Sequence, residues 1–135
     1  MTREFAEGGC LCGAIRYRLT GEPVALSLCH CRTCRLAAGA PSVAWVVVRS
    51  SELMFLAGTP TPFESSPGVL RTFCGRCGTS LTYQRDLESE TIDVTTATLD
   101  SADAFAPTLE IWTAQKLAWD SLNSTLRQYP GSSRQ

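Results

Sequence analysis

Seven cysteines in three tight clusters constrain this chain more than any other feature: Cys10-x-Cys12, Cys29-x-Cys31-x-x-Cys34 and Cys74-x-x-Cys77. An odd number cannot be fully paired into disulfides within one chain. Neighbours two apart on an extended backbone point to opposite faces, so they make poor disulfide partners. In a reducing compartment, clusters with this spacing read as metal sites.

The outer clusters complement each other. Cys74-Gly75-Arg76-Cys77-Gly78 has the spacing of a zinc knuckle, in which two thiolates grip one ion when the chain turns tightly between them. Gly75 and Gly78 supply the backbone freedom such a turn needs. Cys10-Leu11-Cys12-Gly13 offers a second, tighter pair followed by glycine. Joined, Cys10, Cys12, Cys74 and Cys77 form a closed tetrahedral shell, the arrangement of a structural zinc site. The plain alternative is a set of ordinary buried cysteines.

The middle cluster, Cys29-His30-Cys31-Arg32-Thr33-Cys34, has three thiols and no fourth cysteine left to join them. Three protein ligands leave a coordination position for water or substrate, as in catalytic zinc sites. Two other readings stand beside this one: His30 as a fourth ligand that closes the site, or three small buried side chains with no metal. His30 is the only histidine. Lying between Cys29 and Cys31, it should point away from an ion held by both. It is then either a proton shuttle near the open position or a partly exposed strand residue without a role. Three thiolates give zinc a net negative charge and make it a weaker Lewis acid than zinc held by neutral histidines. A substrate thiol would still be held there as a thiolate, ready to attack an electrophile. The cluster thus favours carbon–sulfur chemistry over hydrolysis.

The rest of the chain reads as one β-rich domain over residues 8–130, with a flexible tail at 131–135. Its 135 residues suffice for a real core. Alternation marks Ala14–Leu19 and Ala25–Cys29 as strands, and the apolar, β-branched Ser42–Arg49 suits a central strand covered on both faces. Glu52–Leu56, Val69–Phe73, Ser80–Gln84, Thr91–Ala97 and Thr108–Thr113 complete the set, with Gly/Pro turn signals between several of them. Only Thr33–Ala38 has helical character. Twelve basic against thirteen acidic residues give a net charge of −1 and no electrostatic case for nucleic acid or an anionic membrane. The longest apolar run, Val43–Val48, is too short to cross a bilayer, and the N-terminal residues lack a signal-like apolar stretch, so a cytoplasmic location is expected.

Three segments together resemble the glutathione-dependent formaldehyde-activating enzyme family, to which centromere protein V is also similar. They are Gly9-Cys-Leu-Cys-Gly-Ala-Ile-Arg-Tyr17, Cys29-His-Cys-Arg-Thr-Cys-Arg35 with Gly39-Ala40, and Arg71-Thr-Phe-Cys-Gly-Arg-Cys-Gly-Thr79. The resemblance implies a mainly β, single-domain β-tent fold with zinc between sheets and very little helix. It implies a structural site at Cys10, Cys12, Cys74 and Cys77, and a catalytic site at Cys29, Cys31 and Cys34. The implied reaction joins glutathione and formaldehyde into S-hydroxymethylglutathione, as a carbon–sulfur lyase. Late in the chain the family often has Pro-x-x-His-Ile-Trp, where this sequence has Pro107-Thr-Leu-Glu110-Ile-Trp112. Glu110 either replaces that histidine as acid or base or is a surface charge on a strand.

Arg32, Arg35, Arg71 and Arg76 lie beside ligand cysteines and are candidates to receive the carboxylates of an anionic thiol such as glutathione. Their plainer role is to offset thiolate charge. Trp45, Trp112 and Trp119 are expected in the core. The enzyme reading competes with a non-catalytic zinc module that binds a protein partner.

Overall fold

The structure, a computed structural model, describes residues 5–86 and 89–133. It is mainly β. In chain order the strands are β1 (Phe5–Gly9), β2 (Arg16–Thr20), β3 (Ala25–Cys29), β4 (Val43–Arg49), β5 (Leu53–Ala57) and β6 (Thr61–Ser66). They continue with β7 (Val69–Phe73), β8 (Ser80–Arg85), β9 (Thr91–Thr95), β10 (Leu109–Ile111) and β11 (Arg127–Gln128). The single α-helix among the described residues, α1 (Arg32–Ala38), is seven residues long.

Two sheets result. A small antiparallel sheet has the order β1-β2-β5, and a large one runs β11-β10-β3-β4-β9-β8-β7-β6. The large sheet is antiparallel except at one end, where β10 pairs parallel with both β3 and β11.

Alternation along β4 shows how the large sheet serves two cores. Val46 and Val48 join Ile15, Tyr17 and Leu19 from the small-sheet side, with Leu81, Val94, Leu99 and Phe105. Val43 and Trp45 instead pack with Cys29, Cys34 and Ile111. Strand residues alternate faces, so β4 is buried on both, as its unbroken apolar run requires. Each core carries one cysteine cluster at its margin: Cys10, Cys74 and Cys77 with the first, Cys29, Cys31 and Cys34 with the second.

β3 and β7 have the bounds their sequence patterns predict, whereas other elements differ. Strands β1, β6 and β11 carry no strand signal in their sequences. Thr91–Ala97 is strand only to Thr95, after which Thr96–Thr98 turns as a 3-10 helix. Thr108–Thr113 shortens to β10 because Trp112 takes left-handed backbone, φ 57°. Trp45 is buried, but Trp112 is 37% and Trp119 73% exposed, which corrects the expectation of three core tryptophans. Two residues of the expected tail are held against the domain: Trp112 N donates to Gly131 O at 3.0 Å, and Ser132 lies against the cavity described below. Residues 134–135 lie outside the described residues.

Candidate metal centres and the adjoining cavity

The turn after β1 and the turn between β7 and β8 bring the outer cysteine pairs together. The sulfurs of Cys10, Cys12, Cys74 and Cys77 all lie within 4.8 Å of one another. Cys10 Sγ is 3.6 Å from Cys12 Sγ, and Cys12 Sγ is 3.8 Å from Cys74 Sγ. Tetrahedral zinc with bonds of about 2.3 Å places its sulfurs about 3.8 Å apart, so the four thiols fit that ion.

Backbone N–H groups aim at these sulfurs. Ile15 N donates to Cys10 Sγ at 3.3 Å, and Arg76 N and Cys77 N both donate to Cys74 Sγ at 3.4 Å. Such donors favour thiolate over thiol. Gly78 makes the knuckle possible, with φ 85° and its N–H on Cys74 O. Thr79 joins the two turns: its hydroxyl oxygen accepts from Leu11 N at 3.0 Å and lies 3.3 Å from Cys77 Sγ. Hydrogen bonding from Thr79 and from the backbone pulls the Cys77 thiol down to about 5. Its neighbour Arg76 is exposed and does not line the cavity beside the other cluster.

The triplet forms where β3 runs into α1. Cys29 ends the strand, Cys31 caps the helix with its sulfur accepting from Cys34 N at 3.4 Å, and Cys34 sits in the first turn. Their three sulfurs lie within 4.8 Å of one another, and His30 contributes no atom to that group. Hydrogen bonds from the Cys29 and Cys34 thiols hold the Cys31 thiol well below its ordinary value. The same contact to Cys31, then that to Cys34 and burial, pushes Cys29 up. Three sulfurs this close together have the donor chemistry of a metal site.

Arg71 serves this cluster. It is buried, with Nη2 3.6 Å from Cys34 Sγ and 3.3 Å from Thr33 Oγ1, and Nε 3.3 Å from Ser65 Oγ. Its guanidinium stacks 4.8 Å from the Tyr83 ring centre.

The triplet opens into a cavity of about 490 Å³. Arg32, Arg71 and Arg85 bring positive charge to its wall, Asp93 brings negative charge, and Trp45, Tyr83 and Trp112 supply aromatic surface. Arg35 does not line it. Of the four arginines singled out from sequence, two reach the cavity. Tyr83, Arg85, Asp93 and Gln115 carry no signal beyond ordinary strand or turn residues. Asp93 falls in register opposite Tyr83 across β8 and β9, a relationship only the pairing reveals.

His30 and Glu110 depart from the sequence reading. His30 is 1% exposed, so it is not a partly exposed strand residue, and it does not line the cavity. Glu110 is fully buried, not a surface charge. Its Oε1 lies 2.7 Å from His30 Nε2. A buried carboxylate needs such a partner, and only the folded chain brings these two together.

Comparison with known proteins agrees with this architecture. Residues 5–115 match the glutathione-dependent formaldehyde-activating enzyme family. An uncharacterized lyase of Schizosaccharomyces pombe is 35% identical over 77 residues, 57% of this chain and 56% of that protein. A Halomonas elongata protein named for the same family is 33% identical over 84 residues, 56% of this chain and 53% of that protein. The chain thus spans about half the length of these curated relatives. The crystal structure of a Rhodobacter sphaeroides protein shares the fold, with a TM-score of 0.59 at 24% identity, over 70% of this chain and 88% of that one. With the match covering most of its length, the chain belongs to the glutathione-dependent formaldehyde-activating enzyme family.

Proposed function

We propose that this family member is a zinc-dependent carbon–sulfur lyase acting on a small thiol adduct, with glutathione and formaldehyde as the favoured pair. The observation that carries the reading is the opening of the three-thiol cluster into a cavity walled by three arginines. The four-cysteine group is closed by its own ligands and serves structure; Cys29, Cys31 and Cys34 serve chemistry. Zinc at the triplet would supply the positive charge that keeps a substrate thiol ionised at neutral pH.

The chain's own residues do the rest. Arg71 donates to Cys34 Sγ and offsets part of the negative charge of three thiolates. Arg32 and Arg85 face the cavity where carboxylates of an anionic thiol would lie, and Asp93 suits its ammonium group. Tyr83, Trp45 and Trp112 limit water around the reacting sulfur. That sulfur attacks the aldehyde carbon, forming the C–S bond while the carbonyl π pair moves to oxygen. The proton given up by the thiol ends on the new hydroxyl, and the reverse path cleaves the adduct. Cysteines grouped as metal ligands rather than as disulfide partners support a reducing compartment such as the cytoplasm.

The test is turnover of the thiol–aldehyde adduct by wild type and by Cys31→Ser. Loss of turnover in the variant, with its circular dichroism unchanged, supports the assignment. Unchanged turnover contradicts it. Absence of turnover in wild type carrying both metals favours a zinc module that binds a protein partner.

A further inference from the structure

The most unusual feature outside the cavity is the fully buried carboxylate of Glu110. Burying a carboxylate is costly unless its oxygens are matched by donors. Both are matched here: Oε1 by His30 Nε2 at 2.7 Å, and Oε2 by Asn123 N at 2.7 Å. An ionised carboxylate only accepts, so with Glu110 ionised the donor of this bond is His30 Nε2. His30 Nδ1 faces Asp120 Oδ2 at 3.8 Å, beyond hydrogen-bond distance.

This pair lies at a junction. His30 is the one residue between the ligand that ends β3 and the ligand that caps α1. Strand β10 holds it twice: Ile111 O accepts from His30 N at 3.0 Å, and the side chain of Glu110 grips the imidazole. Glu110 also fixes the returning chain, through Asn123 N to its side chain and Tyr129 N to its carbonyl at 2.9 Å. That chain continues to Ser132 on the cavity wall.

We infer that Glu110 is a positioning residue for the triplet: acting through His30, it fixes the spacing of Cys29 and Cys31 and couples it to the returning segment that reaches the cavity wall at Ser132. The inference rests on the triplet being a metal site. Hydrogen-bonded partners behind a ligand shell typically contribute about 10–100-fold in metal affinity. The geometry accordingly calls for a selective effect. Loss of the carboxylate weakens the triplet and spares the four-cysteine site, which is built on other turns.

Cobalt(II) titration of the full chain tests this, because sulfur-to-cobalt charge-transfer absorption reads four-thiolate and three-thiolate sites separately. The variants are Glu110→Ala and the isosteric Glu110→Gln, whose single carbonyl can satisfy only one of the two donors. The expected result is two equivalents in wild type. In both variants the four-thiolate spectrum should be unchanged and the three-thiolate site weakened about tenfold or more. Wild-type affinity at both sites in the variants overturns the inference. Equal weakening of both sites also overturns it, by showing general destabilisation. A wild type that binds one equivalent overturns the metal reading itself and the inference with it, and this outcome is visible before any variant is made.

Discussion

Arg71 Nη2 lies 3.6 Å from the sulfur of Cys34, and the same guanidinium stacks on Tyr83 with its carbon 4.8 Å from the ring centre. One buried cation therefore joins the thiol cluster to the aromatic wall of the cavity. Arg71→Met should cost about 1.5–3 kcal/mol in denaturant unfolding, the range for hydrogen bonds to charged groups. Arg71→Lys should recover less than half of that, because a single ammonium does not span Thr33, Ser65 and Cys34 as a planar fork does. Full recovery with lysine would mean that charge alone matters at this position.

Removing metal from the four-cysteine site should loosen the whole domain. Cys12 and Cys74 are 62 residues apart in sequence, so an ion bridging them closes a long loop. By analogy with other cross-links of that length, the loss should be on the order of 4 kcal/mol, or roughly 10–20 °C in the thermal midpoint. Thermal melts before and after treatment with a strong chelator measure it. A midpoint unchanged after verified metal loss would contradict a structural role for that site.

Arg32 is exposed and lines the cavity, with its backbone N–H held by Gln115 Oε1 at 2.8 Å. Arg32→Ala should raise KM for a dicarboxylate thiol such as glutathione by up to about tenfold while leaving kcat little changed. The effect should shrink as salt rises, and it should vanish for a neutral thiol such as 2-mercaptoethanol. An equal loss with both thiols would show that Arg32 does not read carboxylates.

Gly8 sits where any Cβ would run into the Tyr17 hydroxyl and the Thr98 carbonyl. The Tyr17 and Thr98 side-chain oxygens lie 2.7 Å apart just below it, and Gly8 bridges to Leu99. Gly8→Ala should destabilise the protein by about 2–3 kcal/mol through overpacking, seen as a lower urea midpoint with unchanged slope. A neutral substitution would mean that β1 and the Thr96–Thr98 turn can give way at this point.

The sequence was most legible where side-chain chemistry and local pattern coincide. The clusters at 10–12, 29–34 and 74–77 announce themselves by spacing, and the strand Ala25–Cys29 by its alternation into a cysteine. Strand β1, Phe-Ala-Glu-Gly-Gly, carries two glycines and no β-branched residue; it forms because β2 pairs along its length and tolerates no Cβ at Gly8. Strand β6 contains Pro62 and is mostly exposed, which suits the sheet edge it occupies but leaves no pattern to read. Glu110 was the hardest residue to read. Its strand lies between two parallel neighbours, a pairing that local sequence does not encode, and its partner His30 is 80 residues away. A charge on a short strand looks like surface until the topology buries it.

The most direct test of the account is the zinc content per chain, by elemental analysis of protein purified without chelators. Two zinc ions are predicted, one in the four-cysteine group and one in the triplet, and Cys31→Ser should lower the count to one without unfolding the domain. One zinc per wild-type chain, unchanged by Cys31→Ser and lost in Cys74→Ser, would contradict the claim that the triplet is a metal site.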